Sequence, residues 1–140
     1  VKTVAVLPFD NLTAEPALQQ EVNIAVREAV QDRLGLLEAS ENQADAVVRG
    51  VIRRYEPDLP VAFTGSQDPA DRNVSVTRRL VQLTVDVEIF DQRASRALWQ
   101  RPGLTVEGDY DTQGGRELDG RRKALDRLTI SIVEGAQSQW

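Results

Sequence analysis

Leu80-Val81-Gln82-Leu83-Thr84-Val85-Asp86-Val87-Glu88-Ile89-Phe90 is the stretch that decides the fold. Val81, Leu83, Val85, Val87 and Ile89 alternate with Leu80, Gln82, Thr84, Asp86 and Glu88. Side chains on a strand alternate between faces, so this is a sheet strand with one core face and one mostly polar face. A sheet with a single apolar face needs something to cover that face.

Downstream, Asp91–Arg96 reads as a polar turn, and Ala97–Gln100 resumes as a strand. Pro102 and Gly103 interrupt it, which points to a bulge or an edge. Leu104, Val106, Gly108 and Tyr110 carry the strand on. Asp111–Gly115 is a turn. Leu118–Ser138 then has Ala124, Leu125, Leu128, Ile132, Val133 and Ala136 on one stripe, the spacing of an amphipathic helix.

Upstream, Pro57–Asn73 is rich in Pro, Gly and Asp and reads as a long hairpin loop with Val61–Phe63 as an apolar tip or a strand extension. In Asp45–Tyr55 the alternation puts Val48, Gly50 and Ile52 on one face. Val47, Arg49, Val51, Arg53 and Tyr55 fall on the other. Leu18, Val22, Ala25, Val26, Ala29, Val30 and Leu34 predict a first helix that ends at Gly35, with Thr13 as its candidate cap. Val1–Phe9 is a short apolar strand stopped by Pro8 and the Asp10-Asn11 turn signal.

The order is β-α-β-β-β-α. The first β-α-β unit predicts a right-handed parallel crossover and the next strands a meander. The expected fold class is α+β: a two-layer sandwich, a four-stranded mixed sheet with both helices on one face. The 140 residues fit one domain, 1–140.

Composition excludes several chemistries. The chain has 17 Lys+Arg, 22 Asp+Glu and a formal charge of -5, with no Cys, His or Met. Without Cys there is no disulfide, thiolate nucleophile or Cys-type zinc site. Without His there is no Ser-His-Asp triad and no HExxH site. No cofactor and no metal are expected. The acidic balance argues against nucleic acid. No apolar run approaches the roughly 20 residues of a membrane-spanning helix.

Two groups of charges carry the candidate chemistry. Asp86 and Glu88 share a strand face, the arrangement of an acid/base pair, but that face is the wet one. Arg49 and Arg53 on the neighbouring strand make cross-strand ion pairs the simpler account. Arg53-Arg54 and Arg78-Arg79 flank the long hairpin, with Arg72 between them. If the hairpin closes, these five cations gather at one end, each face receiving at least one. They then either bind phosphate or carboxylate groups or pair with Glu56, Asp58, Asp68 and Asp71. Gly114-Gly115-Arg116 lacks a phosphate-loop pattern and reads as a turn. Trp99 reads as core or as packed against the second helix, with core favoured because large rings dominate buried area.

Val4–Val22 (VAVLPFDNLTAEPALQQEV), Ala44–Pro57 (ADAVVRGVIRRYEP), Val85–Tyr110 (VDVEIFDQRASRALWQRPGLTVEGDY) and Ile132–Trp140 (IVEGAQSQW) occur in an order that resembles the LPS-assembly lipoprotein LptE family. The opening LPF-D-N and the ADAVVRG strand also look like other envelope lipoproteins and the N-terminal domain of TolB. The resemblance implies a non-catalytic lipoprotein at the periplasmic face of the outer membrane, anchored by a lipidated cysteine upstream of Val1. It implies a β-barrel translocon partner, LptD, whose lumen the protein plugs, and lipopolysaccharide as a possible ligand. Under that resemblance Arg53, Arg54, Arg72, Arg78 and Arg79 are candidates for anion binding, with Val61 and Phe63 for apolar contact. The alternatives are a different envelope adaptor, TolB-like or a peptidoglycan-synthase activator, and a small hydrolase running on carboxylates.

Overall fold

A computed structural model of the chain describes residues 1–64 and 75–139. The elements run β1 (Thr3–Val6), β2 (Asp10–Asn11), α1 (Ala17–Asp32), β3 (Leu37–Glu38), β4 (Ala46–Thr64), β5 (Ser75–Asp91), β6 (Arg96–Asp111) and α2 (Glu117–Gln137). The sheet order is β3-β1-β4-β5-β6, with β2 also on β4. β1, β2 and β3 pair in parallel, and β4-β5-β6 form an antiparallel meander. The expected parallel pairing of the first strand and the expected meander are both present, and the helices cover one face.

The strand count differs from expectation. The sheet has six strands, not four, because Asp10–Asn11 and Leu37–Glu38 each add a two-residue strand. Such pieces are too short for an alternation pattern to register. The hairpin also differs. Pro57–Thr64 belongs to β4, so much of the expected loop 57–73 is strand, and Val61–Phe63 is its extension. Its two prolines lie beyond Ile52, where β4 has no neighbour on its β2 side, and each adjoins a register shift against β5, the places that tolerate proline in a sheet. Arg72 and Asn73 lie outside the described residues.

The core follows the alternation. Val81, Leu83, Val85, Val87 and Ile89 are buried with Val48, Ile52, Leu104 and Val106 beneath Leu18, Val22, Val26, Val30, Leu128 and Ile132. Two close approaches bring α2 down onto β6. A Cβ at Gly120 would come 2.7 Å from the Gly108 carbonyl oxygen, and one at Gly135 would come 2.2 Å from the Trp99 ring. Trp99 is therefore half-buried under the helix, packed against the core rather than within it.

The break at Pro8 is repaired from α1. Buried Asn23 accepts from the Phe9 N–H at 3.0 Å and donates to the Leu7 carbonyl at 2.9 Å. Phe9, fully buried, then lies over Gly50, where any Cβ would meet its ring at 2.6 Å. Thr13 is not the cap of α1. The first helix position follows Pro16, and Asn11 organises the approach by accepting from Thr13 and donating to the Glu15 carbonyl.

Candidate functional site

The face of the sheet away from the helices carries rows of polar pairs. Arg49 faces Glu88 at 3.2 Å and Arg53 faces Asp86 at 2.6 Å. Thr84 and Thr105 share a hydroxyl bond at 3.0 Å, and Gln82 donates to Glu107 at 3.1 Å. Arg78 and Lys123 both reach Asp109. Arg49 also stands 4.7 Å over the Phe90 ring.

These contacts settle what the carboxylates are. Asp86 accepts from the Gly103 N–H at 2.8 Å and from Arg53, and both hold its carboxyl below the ordinary range. Arg78, then Lys123, lowers Asp109 to about 2. A general acid has to keep a proton near working pH. Asp86 is held as an anion by the Arg53 that the strand spacing offered and by the Gly103 N–H that it did not, and Asp109 by Arg78 and Lys123, which the spacing did not offer either.

Arg53 and Arg54 do not point to opposite faces. The register shifts between Ile52 and Arg54, so β4 carries one extra residue there. A bulge breaks strict alternation. Both arginines line one shallow depression of ≈ 580 Å³ with Gln82, Thr84, Gly103 and Thr105. The same bulge moves Tyr55 off the face shared by Arg49 and Val51. It pairs with buried Leu83 and packs against the core instead.

Of the five cations expected to gather, Arg72 lies outside the described residues, and the two described pairs stand apart along the hairpin. Arg54 pairs with Thr84, whereas Arg78 pairs with Ala62. The two positions are six residues apart along β5, roughly 20 Å at strand rise. Arg79 reaches back to the Asp58 carbonyl at 2.7 Å. Arg54 is 69% exposed, with Glu56 at 3.7 Å as its ion-pair partner among the described residues. Val61 and Phe63 are 47% and 58% exposed near the far end of the hairpin.

One cluster was missed by sequence reasoning. Arg121 of α2, 13% exposed, lies within 4 Å of Glu15, Glu21 and Glu117. Its ring partner is Tyr55, whose hydroxyl donates to Glu117. Burial and that bond push the Tyr55 hydroxyl well above its ordinary range. The Glu117–Arg121 spacing of four on a helix was the available signal. The other two acids come from distant sequence and gave none. Among the described residues no group of acidic side chains is arranged to hold a metal ion.

Comparison with known proteins gives the family. The LptE family model, described as lipopolysaccharide-assembly, matches residues 1–136. No curated protein matches by sequence. Among solved structures, the chain is similar to a hypothetical protein of Chlamydia trachomatis, with TM-score 0.59 and 14% identity over 96% of this chain and 97% of that one. It is similar to a protein of Xanthomonas campestris at TM-score 0.60 and 13% identity, covering 94% of this chain and 81% of that one. A lipoprotein of Neisseria meningitidis matches at TM-score 0.52 and 10% identity, over 99% of each chain. At such identities these likenesses speak to the fold, and the fold is shared across nearly the whole chain. The match over residues 1–136 speaks to descent, and by it the chain belongs to the LptE lipopolysaccharide-assembly family, a non-catalytic family of envelope lipoproteins.

Proposed function

We propose that this chain seats in the lumen of an outer-membrane β-barrel lipopolysaccharide translocon, LptD-like, from the periplasmic face, held by a lipidated cysteine upstream of Val1. The observation that carries the proposal is the family match across residues 1–136. The uncovered sheet face supports it. Barrel lumens are polar, and a face of Arg–Glu, Arg–Asp, Thr–Thr and Gln–Glu pairs meets such a wall without stranding charges.

Lipopolysaccharide contact belongs to the same proposal. Its phosphates suit a guanidinium fork. The Arg53–Arg54 bulge puts two such forks in one depression; Arg53 is engaged there with Asp86, and Arg54 is the more exposed. Arg78 and Arg79 are further candidates, engaged with Asp109 and the Asp58 carbonyl in this structure. Arg72 is proposed from the sequence only. Val61 and Phe63 are proposed to meet acyl chains or the barrel wall, on the strength of their exposure.

The test is co-purification of the full-length lipidated protein from native outer membranes, with mass spectrometry of what accompanies it. A near-equimolar large β-barrel is the expected outcome. A periplasmic or peptidoglycan-synthesis partner, with no barrel, overturns the translocon reading.

A further inference from the structure

The open face of the sheet has a gap in its charged surface. On β4 the residues that face it, up to the bulge, are Val47, Arg49, Val51 and Arg53. Val51 is the apolar member between two arginines, and neither covers it. Arg53 reaches sideways to Asp86 at 2.6 Å. Arg49 pairs with Glu88 at 3.2 Å and lies over the ring of Phe90. Phe90 is the cross-strand partner of Val47, so Arg49 leans away from Val51.

Breaks in the neighbouring strands supply the walls. On one side the chain leaves the sheet between β1 and β2 at Leu7 and Pro8, and Phe9 turns to the helix side over Gly50. On the other side the register of β6 shifts opposite Asp86, where Pro102 stands at the rim and the Gly103 N–H donates to the Asp86 carboxylate. Between them a groove of ≈ 510 Å³ crosses the strands. Ligand pockets run from about 300 to 1,000 Å³. The apolar lining includes Leu7, Pro8, Val51 and Pro102. The charged lining is Asp10, Asp86 and Glu88 against Arg49, three carboxylates to one guanidinium.

We propose that this groove is a docking pocket for an arginine side chain presented by a partner protein. The inference rests on the reading that a partner covers the open face, and it names the chemistry of one contact there. A guanidinium is planar and weakly hydrated, so its faces and its methylene stem suit a floor of Val51 between two prolines. Its donors suit carboxylates. Asp86 is already occupied by Arg53 and Gly103, whereas Asp10 is exposed, and Glu88 has Oε1 on Arg49 with its second oxygen to offer. The excess of acid over base in the lining complements one incoming cation.

The test needs no barrel, so its failure is distinct from failure of the translocon reading. The isotope-labelled chain would be titrated with N-acetyl-arginine amide and, separately, with its uncharged isostere N-acetyl-citrulline amide, and amide chemical shifts followed. Shifts are expected at Gly50, Val51, Val87 and Glu88, with the arginine probe binding about tenfold tighter than the citrulline probe and losing that advantage in high salt. Val51→Phe fills the groove with a residue that strands accept, and is expected to abolish the shifts. Asp10→Asn, an exposed change that leaves the fold alone, is expected to weaken the arginine probe severalfold. Equal binding of the two probes, shifts centred elsewhere, or native binding by Asp10→Asn and a folded Val51→Phe would each overturn the pocket.

Discussion

At the scale of single residues, the side chains with sharpest consequences are acidic ones held as anions. Asp109 is lowered to about 2 by Arg78 and Lys123. Gly103 and Arg53 lower Asp86, and the backbone N–H groups of Lys2 and Thr3, with Arg93, lower Asp45. A carboxylate whose folded pKa is depressed stabilises the fold above its unfolded value, about 3.9, and loses that contribution as pH falls through the folded value. The chain should therefore lose stability between about pH 4 and pH 2. Asp109→Asn should flatten that part of the curve while lowering stability slightly at neutral pH. Urea titrations at stepped pH would read both, and a variant curve parallel to the native one would count against the pairing. Because Asp109 is 42% exposed, added salt should shrink the difference.

At the scale of elements, the contact between α2 and β6 is set by glycine. Gly135 sits against Trp99 with no room for a methyl group, the ring atoms Cε2 and Nε1 lying 2.2 and 2.5 Å from where a Cβ would be. Gly135→Ala should cost about 1–3 kcal/mol by overpacking, although alanine is the better helix former. Trp99 fluorescence in a Trp140→Phe background would report it, as a shifted emission maximum together with a lower urea midpoint. A stabilised variant with unchanged emission would show that the helix does not press on the ring. The same scale shows what patterning reads well. The stripe in α2 and the alternation in β5 place the buried residues correctly, because each repeats one geometry over several turns or rungs. The Arg53 bulge breaks that repeat, and it alone puts Arg53 beside Arg54 and sends Tyr55 to the core side.

At the scale of the whole molecule, an acidic chain presents its arginines one or two at a time. Charge reversal should separate the candidates. Arg54→Glu removes an exposed guanidinium with a long pair to Glu56, so circular dichroism and melting should hardly change. If the bulge contacts lipopolysaccharide phosphates, binding should weaken at least tenfold, more at low salt than at high. Reversing Arg78 and Arg79 together also breaks the Asp109 pair and the Asp58 carbonyl bond, so its effect on binding needs the stability control beside it. Native binding by Arg54→Glu would remove the bulge from the lipid-contact proposal.

The sequence by itself determined the α+β layering, the parallel crossover, the meander, the buried face of β5 and both helix stripes. These follow from local periodicity and from the burial of one apolar face, and neither depends on distant partners. It also carried the family resemblance, through ordered segments spread over most of its length. Only the tertiary structure decided the two short strands, the reach of β4 through Pro57 and Pro60, the separation of Arg53-Arg54 from Arg78-Arg79, and the meeting of Arg121 with Glu15, Glu21, Glu117 and Tyr55. The physical reason is that strand register and bulge placement are settled by packing between elements far apart in sequence. One extra residue in a strand flips every side chain that follows it.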